Sequence, residues 1–144
     1  MNGFQVYLKE KTEFFETELK KELKELSYPE TIAKGMEYAI LNGGKRLRPF
    51  LLFVTLELLN QNIEKGIKSA IALEMIHSYS LVHDDLPALD NDDYRRGKLT
   101  THKVFGEAEG ILIGDSLLTY AFYVLSQKNL ELLSSKQIVK IISK

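Results

Sequence analysis

Apolar residues return every three or four positions along nearly the whole chain, beginning with Phe4, Leu8, Phe15, Leu19, Leu23 and Leu26. That period belongs to helices with one buried face. With only three prolines in 144 residues and few β-branched runs, the spacing predicts an all-α fold. Prolines and glycines supply the punctuation. Pro29 sits in the first turn of a second helix, which Asn42, Gly43 and Gly44 end by taking the left-handed C-cap conformation. Pro49 opens a third helix that runs through Leu59, and the polar loop Asn60 to Gly66 closes it. The fourth helix is expected over 67–85. Pro87 breaks it, because proline removes a backbone donor and clashes with the preceding turn, so 88–100 is a loop. Thr100 or Thr101 caps the segment after that loop. A fifth helix over 107–127 carries Gly110 and Gly114 four apart, which lets a neighbouring helix approach closely. Ser134 with Gln137 forms a capping box for a sixth. The apolar positions Ile138, Ile141 and Ile142 then run to Lys144 without a C-cap. The expectation is a single all-helical domain over 1–144 that is one part of a longer bundle.

At 44% hydrophobic the chain can bury one compact core, since a domain of this size hides roughly 70% of its unfolded surface. Twenty acidic residues against 19 basic ones leave a net charge of −1. No chain-wide basic field exists to bind nucleic acid. The absence of cysteine removes disulfides, thiol nucleophiles and cysteine zinc sites. The opening MNGFQVYLKEK has no apolar signal core, and no run of 18 apolar residues occurs, so secretion and membrane spanning are not expected and the cytoplasm is the default.

The segment HDDLPALDNDDYRRGK, 83–98, sets five aspartates within ten positions directly before Arg95, Arg96 and Lys98. Carboxylates brought within about 4 Å of one another repel by roughly 4 kcal/mol per pair at an effective dielectric near 20, so folding three together makes sense only around divalent cations. Oxygen-only ligands select Mg²⁺, with Mn²⁺ as the substitute, over zinc. Mg²⁺ commonly shares its shell with substrate phosphates, and arginine forks match phosphate oxygens. His77 and Asp84 are two turns apart and so lie within about 20° on one helix face. Asp84 and Asp85 close that helix, where the negative end of the macrodipole disfavours them unless a cation answers. Beyond Pro87 the loop can fold Asp90 back toward them, with Asp92 and Asp93 supporting or facing water. The bland alternative is a solvated acidic loop.

A second constellation is Gly43-Gly44-Lys45-Arg46-Leu47-Arg48-Pro49. Read alone it is a capped helix end with solvated bases. Joined with His77, Arg95 and Arg96, Lys45 and Arg48 make a basic set large enough for two diphosphates, one metal-bound and one held by bases alone. Two rivals fail. A calcium loop counted from Asp90 needs Gly and Glu where Arg95 and Thr101 stand. A helical phosphohydrolase built on His83-Asp84 needs an upstream histidine, and none precedes His77.

Together GGKRLRP, EMIHSYSLVHDDLPALDNDDYRRGKLTTH and FGEAEGILIGDSLLTYAF span about half the chain. In order and spacing they resemble the trans-isoprenyl diphosphate synthases, or polyprenyl synthetases, nearest to the bacterial farnesyl diphosphate synthases and their geranylgeranyl relatives. The resemblance implies the all-α isoprenoid synthase bundle, of which this would be the N-terminal part, and a homodimer. It implies that Asp84 and Asp90 ligate Mg²⁺ with Asp85 beside them, and that Arg95 contacts the allylic diphosphate. Lys45, Arg48, His77 and Arg96 resemble the site for isopentenyl diphosphate. Tyr79 and Ser80, five and four positions before the first aspartate, resemble the floor of the elongation pocket; a bulky Tyr79 resembles fifteen-carbon makers, and ordinary helix packing is its plain alternative. The implied reaction is Mg²⁺-assisted ionisation of dimethylallyl or geranyl diphosphate, attack by the isopentenyl double bond and loss of a proton. Such enzymes are about twice this long and carry a second aspartate-rich motif absent here. The expectation is therefore a half-chain that binds diphosphate and does not turn over. Its competitor is a non-catalytic partner or regulator of a full-length synthase.

Overall fold

The computed structural model describes residues 2–26, 29–127 and 140. Among the described residues, helices with defined bounds follow in order: α1 (Gly3–Lys24), α2 (Glu30–Leu41), α3 (Leu47–Leu58), α4 (Ile67–Asp84), α5 (Thr101–Phe105) and α6 (Glu107–Ser126). The fold is all-α, as the periodicity predicts. The expected capping box at Ser134 and the helix after it lie outside the described residues. The described residues fall into two compact units, one of 2–22, 46–74, 121–127 and 140, the other of 23–26, 29–45 and 75–120.

In the first unit the apolar stripe of α1 meets α3. The rings of Phe14 and Phe15 lie 5.7 and 6.5 Å from that of Phe53, and Phe15, Leu19 and Phe53 are fully buried. Glu57 of α3 accepts from the Tyr7 hydroxyl and the Lys11 ammonium. A 3₁₀ turn, Ile63–Gly66, replaces the end of the expected loop. It packs so closely on α3 that a methyl on Gly66 would overlap the side chains of Leu52 and Leu56.

Helix α3 begins two residues before Pro49, at Leu47, behind Arg46 in the left-handed region (φ 49°). The reason lies far along the chain. The Arg46 guanidinium is buried and forms ion pairs with Glu74 (2.9 Å) and Glu16 (3.3 Å). Of the expected turn of solvated bases, Lys45 and Arg48 are exposed and Arg46 is not.

In the second unit α2 ends at Leu41; Asn42 stays at φ −68° and Gly43 and Gly44 take positive φ. The 88–100 loop is more ordered than the sequence predicts. Tyr94–Arg95 (β1) pairs antiparallel with Lys98–Leu99 (β2), Tyr94 opposite Leu99 and Arg95 opposite Lys98. The two residues between them, Arg96 (φ 53°) and Gly97 (φ 79°), have the paired positive φ of a type I′ hairpin turn. Helix α6 turns small residues toward its neighbours. A methyl on Gly114 would overlap the His83 ring, and one on Gly110 would lie 3.1 and 3.2 Å from His102 and Leu86.

By length and mean hydropathy α6 could cross a bilayer. Yet Gly110, Ile113, Gly114, Leu117, Ala121 and Val124 are buried at helical spacing, and Glu107, Glu109 and Asp115 interrupt the rest. That stripe is what a core helix presents.

Candidate active site at the end of the fourth helix

Helix α4 delivers His77, Tyr79, Ser80 and Asp84, with Asp85 directly after its last residue. Pro87 cannot continue it, and the chain reverses through bonds from Leu86 N–H to His83 O (3.1 Å) and Leu89 N–H to Leu86 O (2.9 Å). The reversal closes when Asp90 N–H donates to Asp84 O at 2.8 Å. Asp84 and Asp90 thus share one helix end, and both are exposed.

Asp85 faces the other way. It is 3% exposed, and Arg95 grips it from β1: Nε donates to Oδ2 at 2.9 Å and Nη2 to Oδ1 at 2.6 Å. The hydrogen bonds to Asp85 first, then the fields of Asp85, Asp92 and Asp84, raise the Arg95 guanidinium above its ordinary range. Asp93 pairs with Lys103 at 2.8 Å. The expected convergence of three carboxylates is therefore corrected: among the described residues no group of three or more acidic or histidine side chains is arranged to hold a metal. The physical reason is Arg95, which neutralises the buried carboxylate and leaves two exposed ones. Two suffice for Mg²⁺, which keeps its waters and takes one or two carboxylates plus substrate phosphate, so the donor set fits that ion.

Arg96, at the hairpin tip, donates through Nη1 to Gly43 O, and its guanidinium lies where a methyl on Gly44 would have to go. The two glycines thus admit the hairpin against the turn that carries Lys45. His77 is half-buried two turns before Asp84, and Arg48 is exposed on α3. Ser80 Oγ donates to His77 O at 2.9 Å. Tyr79 is half-buried, and its ring meets His83 edge-on with centroids 4.8 Å apart.

Three features are not legible in the sequence pattern. Arg46 is structural. The Gly43 carbonyl is an arginine acceptor, as only the adjacent glycines hint. His102 is buried beside the aspartate loop; its place two residues after Thr100, the residue that flanks the hairpin, is the available signal.

A family model described as Polyprenyl synthetase matches residues 29–144, and the chain belongs to that family. It is 50% identical over 121 residues to the farnesyl diphosphate synthase of Geobacillus stearothermophilus, covering 84% of this chain and 41% of that one. It is 51% identical over 114 residues to geranylgeranyl pyrophosphate synthase 4 of Arabidopsis thaliana, covering 79% of this chain and 30% of the relative. Among solved structures, the geranyltransferase of Legionella pneumophila superposes with a TM-score of 0.89 at 40% identity, over 99% of this chain and 51% of that one. The chain thus spans about half or less of the length of these relatives.

Proposed function

We propose that this chain supplies the first aspartate-rich half of a farnesyl diphosphate synthase. The reaction is the condensation of isopentenyl diphosphate with dimethylallyl or geranyl diphosphate, with release of diphosphate. The observation that carries the reading is the closure of Asp90 N–H onto Asp84 O at 2.8 Å, which puts two exposed carboxylates at one helix end, with Arg95 in the field of Asp84.

Asp84 and Asp90 would hold Mg²⁺, or Mn²⁺ in its place, and the bound ion supplies charge neutralisation for the departing diphosphate. Asp85 orients Arg95 by occupying Nε and Nη2, which leaves Nη1 for an oxygen of the allylic diphosphate. Arg96, Lys45 and His77, all in the second unit, would hold the isopentenyl diphosphate as cations and donors. Tyr79 and Ser80 would bound the space into which the allylic chain grows, where exclusion of water protects the carbocation. The fifteen-carbon product rests on the bulk of Tyr79 and on the 50% identical relative. The 51% identity to a geranylgeranyl synthase supports a twenty-carbon product as the second reading. A cytoplasmic homodimer without a membrane span completes the proposal.

The test is titration of the 144-residue chain with inorganic diphosphate, with and without Mg²⁺, beside an assay with labelled isopentenyl and geranyl diphosphates. Mg²⁺-dependent binding without condensation is expected. Binding that ignores Mg²⁺, or that survives Asp84→Ala together with Asp90→Ala, sinks the assignment.

A further inference from the structure

Thr100 and His102 sit against the aspartate loop and have no part in the proposed reaction. The Thr100 hydroxyl has one proton and three polar neighbours: Asp92 O at 2.7 Å, Asp93 O at the far limit of 3.5 Å and His102 Nδ1 at 3.2 Å. A carbonyl oxygen can only accept, so the proton goes to Asp92 O. Thr100 Oγ1 must then accept from the ring, which puts a proton on Nδ1. The other tautomer would oppose two lone pairs across 3.2 Å. His102 is 7% exposed, and its Nε2 has no hydrogen-bond partner among the described residues, so the Nδ1–H bond is the polar tie that fixes the ring. Its Cβ faces Gly110, where Leu86, the neighbour of Asp85, also packs. Thr100 N–H donates in turn to Asp93 O at 3.0 Å.

We infer that His102 is a positioning residue: through its Nδ1–H it fixes the Thr100 hydroxyl on the Asp92 carbonyl and so holds the loop that presents Asp90. The inference rests on the reading of Asp84 and Asp90 as a metal–diphosphate site. The tie anchors the far side of that loop from α5. The pattern is that of outer groups that orient metal-facing ligands through a hydrogen bond.

Two measurements on the chain test it. A nitrogen-15 imidazole spectrum should show the His102 Nδ1 carrying a proton; a bare Nδ1 overturns the inference, and this reading needs no variant to fold. Titration with Mn²⁺ and inorganic diphosphate should then separate four variants. His102→Leu and Thr100→Val, which lose the donor or the hydroxyl, should weaken binding by about tenfold, the low end of what removing an outer group that orients a metal ligand usually costs. His102→Asn and Thr100→Ser, which keep a donor and a hydroxyl in place, should stay within about twofold on the same grounds. Wild-type binding with all four variants equal overturns the inference alone. No wild-type binding overturns the proposed function and this inference with it.

Discussion

Asp85 and Arg95, ten residues apart, meet as a two-pronged pair in which Nε and Nη2 each reach a different carboxylate oxygen, at 2.9 and 2.6 Å. A carboxylate this deeply buried is tolerable because the fork satisfies both oxygens at once. Removing the fork leaves an unanswered charge. Arg95→Leu should lower unfolding free energy by about 2–3 kcal/mol, below the full cost of breaking a buried pair because the arginine keeps contact with solvent. Adding Asp85→Asn to that variant should recover about 1 kcal/mol or more, since no charge then stays buried. Urea unfolding of the two single variants and the double variant measures the coupling; strictly additive losses would show that the pair contributes nothing as a pair.

Within GGKRLRP the three bases divide by burial. Arg46 is 3% exposed between Glu74 and Glu16, while Lys45 and Arg48 are open to solvent. Arg46→Ala strands two carboxylates, one of them buried, and should cost about 3 kcal/mol of stability. Lys45→Ala and Arg48→Ala should stay within about 0.5 kcal/mol of the parent and instead weaken diphosphate binding. Thermal unfolding beside diphosphate titration separates the two classes. A stable Arg46→Ala chain with lost binding would move Arg46 into the site.

That division marks how far the sequence can be read. The helices are legible because each carries its own period and its own stop: Pro87 after α4, Gly43 and Gly44 after α2. The return of Asp90 to the end of α4 is also within reach, since a proline-broken helix with a short loop behind it has few ways to run. The hairpin is not. Two-residue strands show no alternation, and Arg96-Gly97 is a weaker turn signal than Asn-Gly or Asp-Gly. The side of α4 to which Asp85 points is equally hidden, because it depends on Arg95 arriving from that hairpin. Arg46 meets glutamates 30 and 28 residues away, and no local pattern announces such a partner.

Glu57 gives the first unit a pH dependence of known sign. Its hydrogen bond from Lys11, then that from Tyr7, hold its carboxyl below the ordinary carboxylate range. A depressed carboxyl contributes stability that is fully present above its unfolded value of about 4.3 and is lost as pH falls through the folded value. The same contact raises the Tyr7 hydroxyl, because the neutral phenol is the donor. With the Glu57 side chain 36% exposed, solvent screens the pair and the contribution is roughly a few tenths of a kcal/mol. Glu57→Gln should therefore lower stability slightly at neutral pH, with the gap closing only as pH falls from the unfolded value of about 4.3 through the folded one. A gap between the two that widens in acid would contradict the sign.

Tyr79 offers the sharpest separation between packing and specificity. Its ring stands edge-on to His83 at 4.8 Å, and His83 Nε2 lies 3.0 Å from Ile111 O, so an aromatic contact and a bond to α6 share one histidine. If Tyr79 serves only that packing, Tyr79→Ala costs stability, and Tyr79→Phe restores it without touching product. If it also floors the elongation pocket, truncation opens room along α4 and the allylic chain can accept another isopentenyl unit. The expected outcome, in a form of this protein that turns over, is a shift from fifteen-carbon to twenty-carbon diphosphate with Tyr79→Ala and no shift with Tyr79→Phe. Chromatography of the dephosphorylated alcohols reads the ratio directly. An unchanged ratio in a folded, active Tyr79→Ala enzyme would confine Tyr79 to the contact with His83.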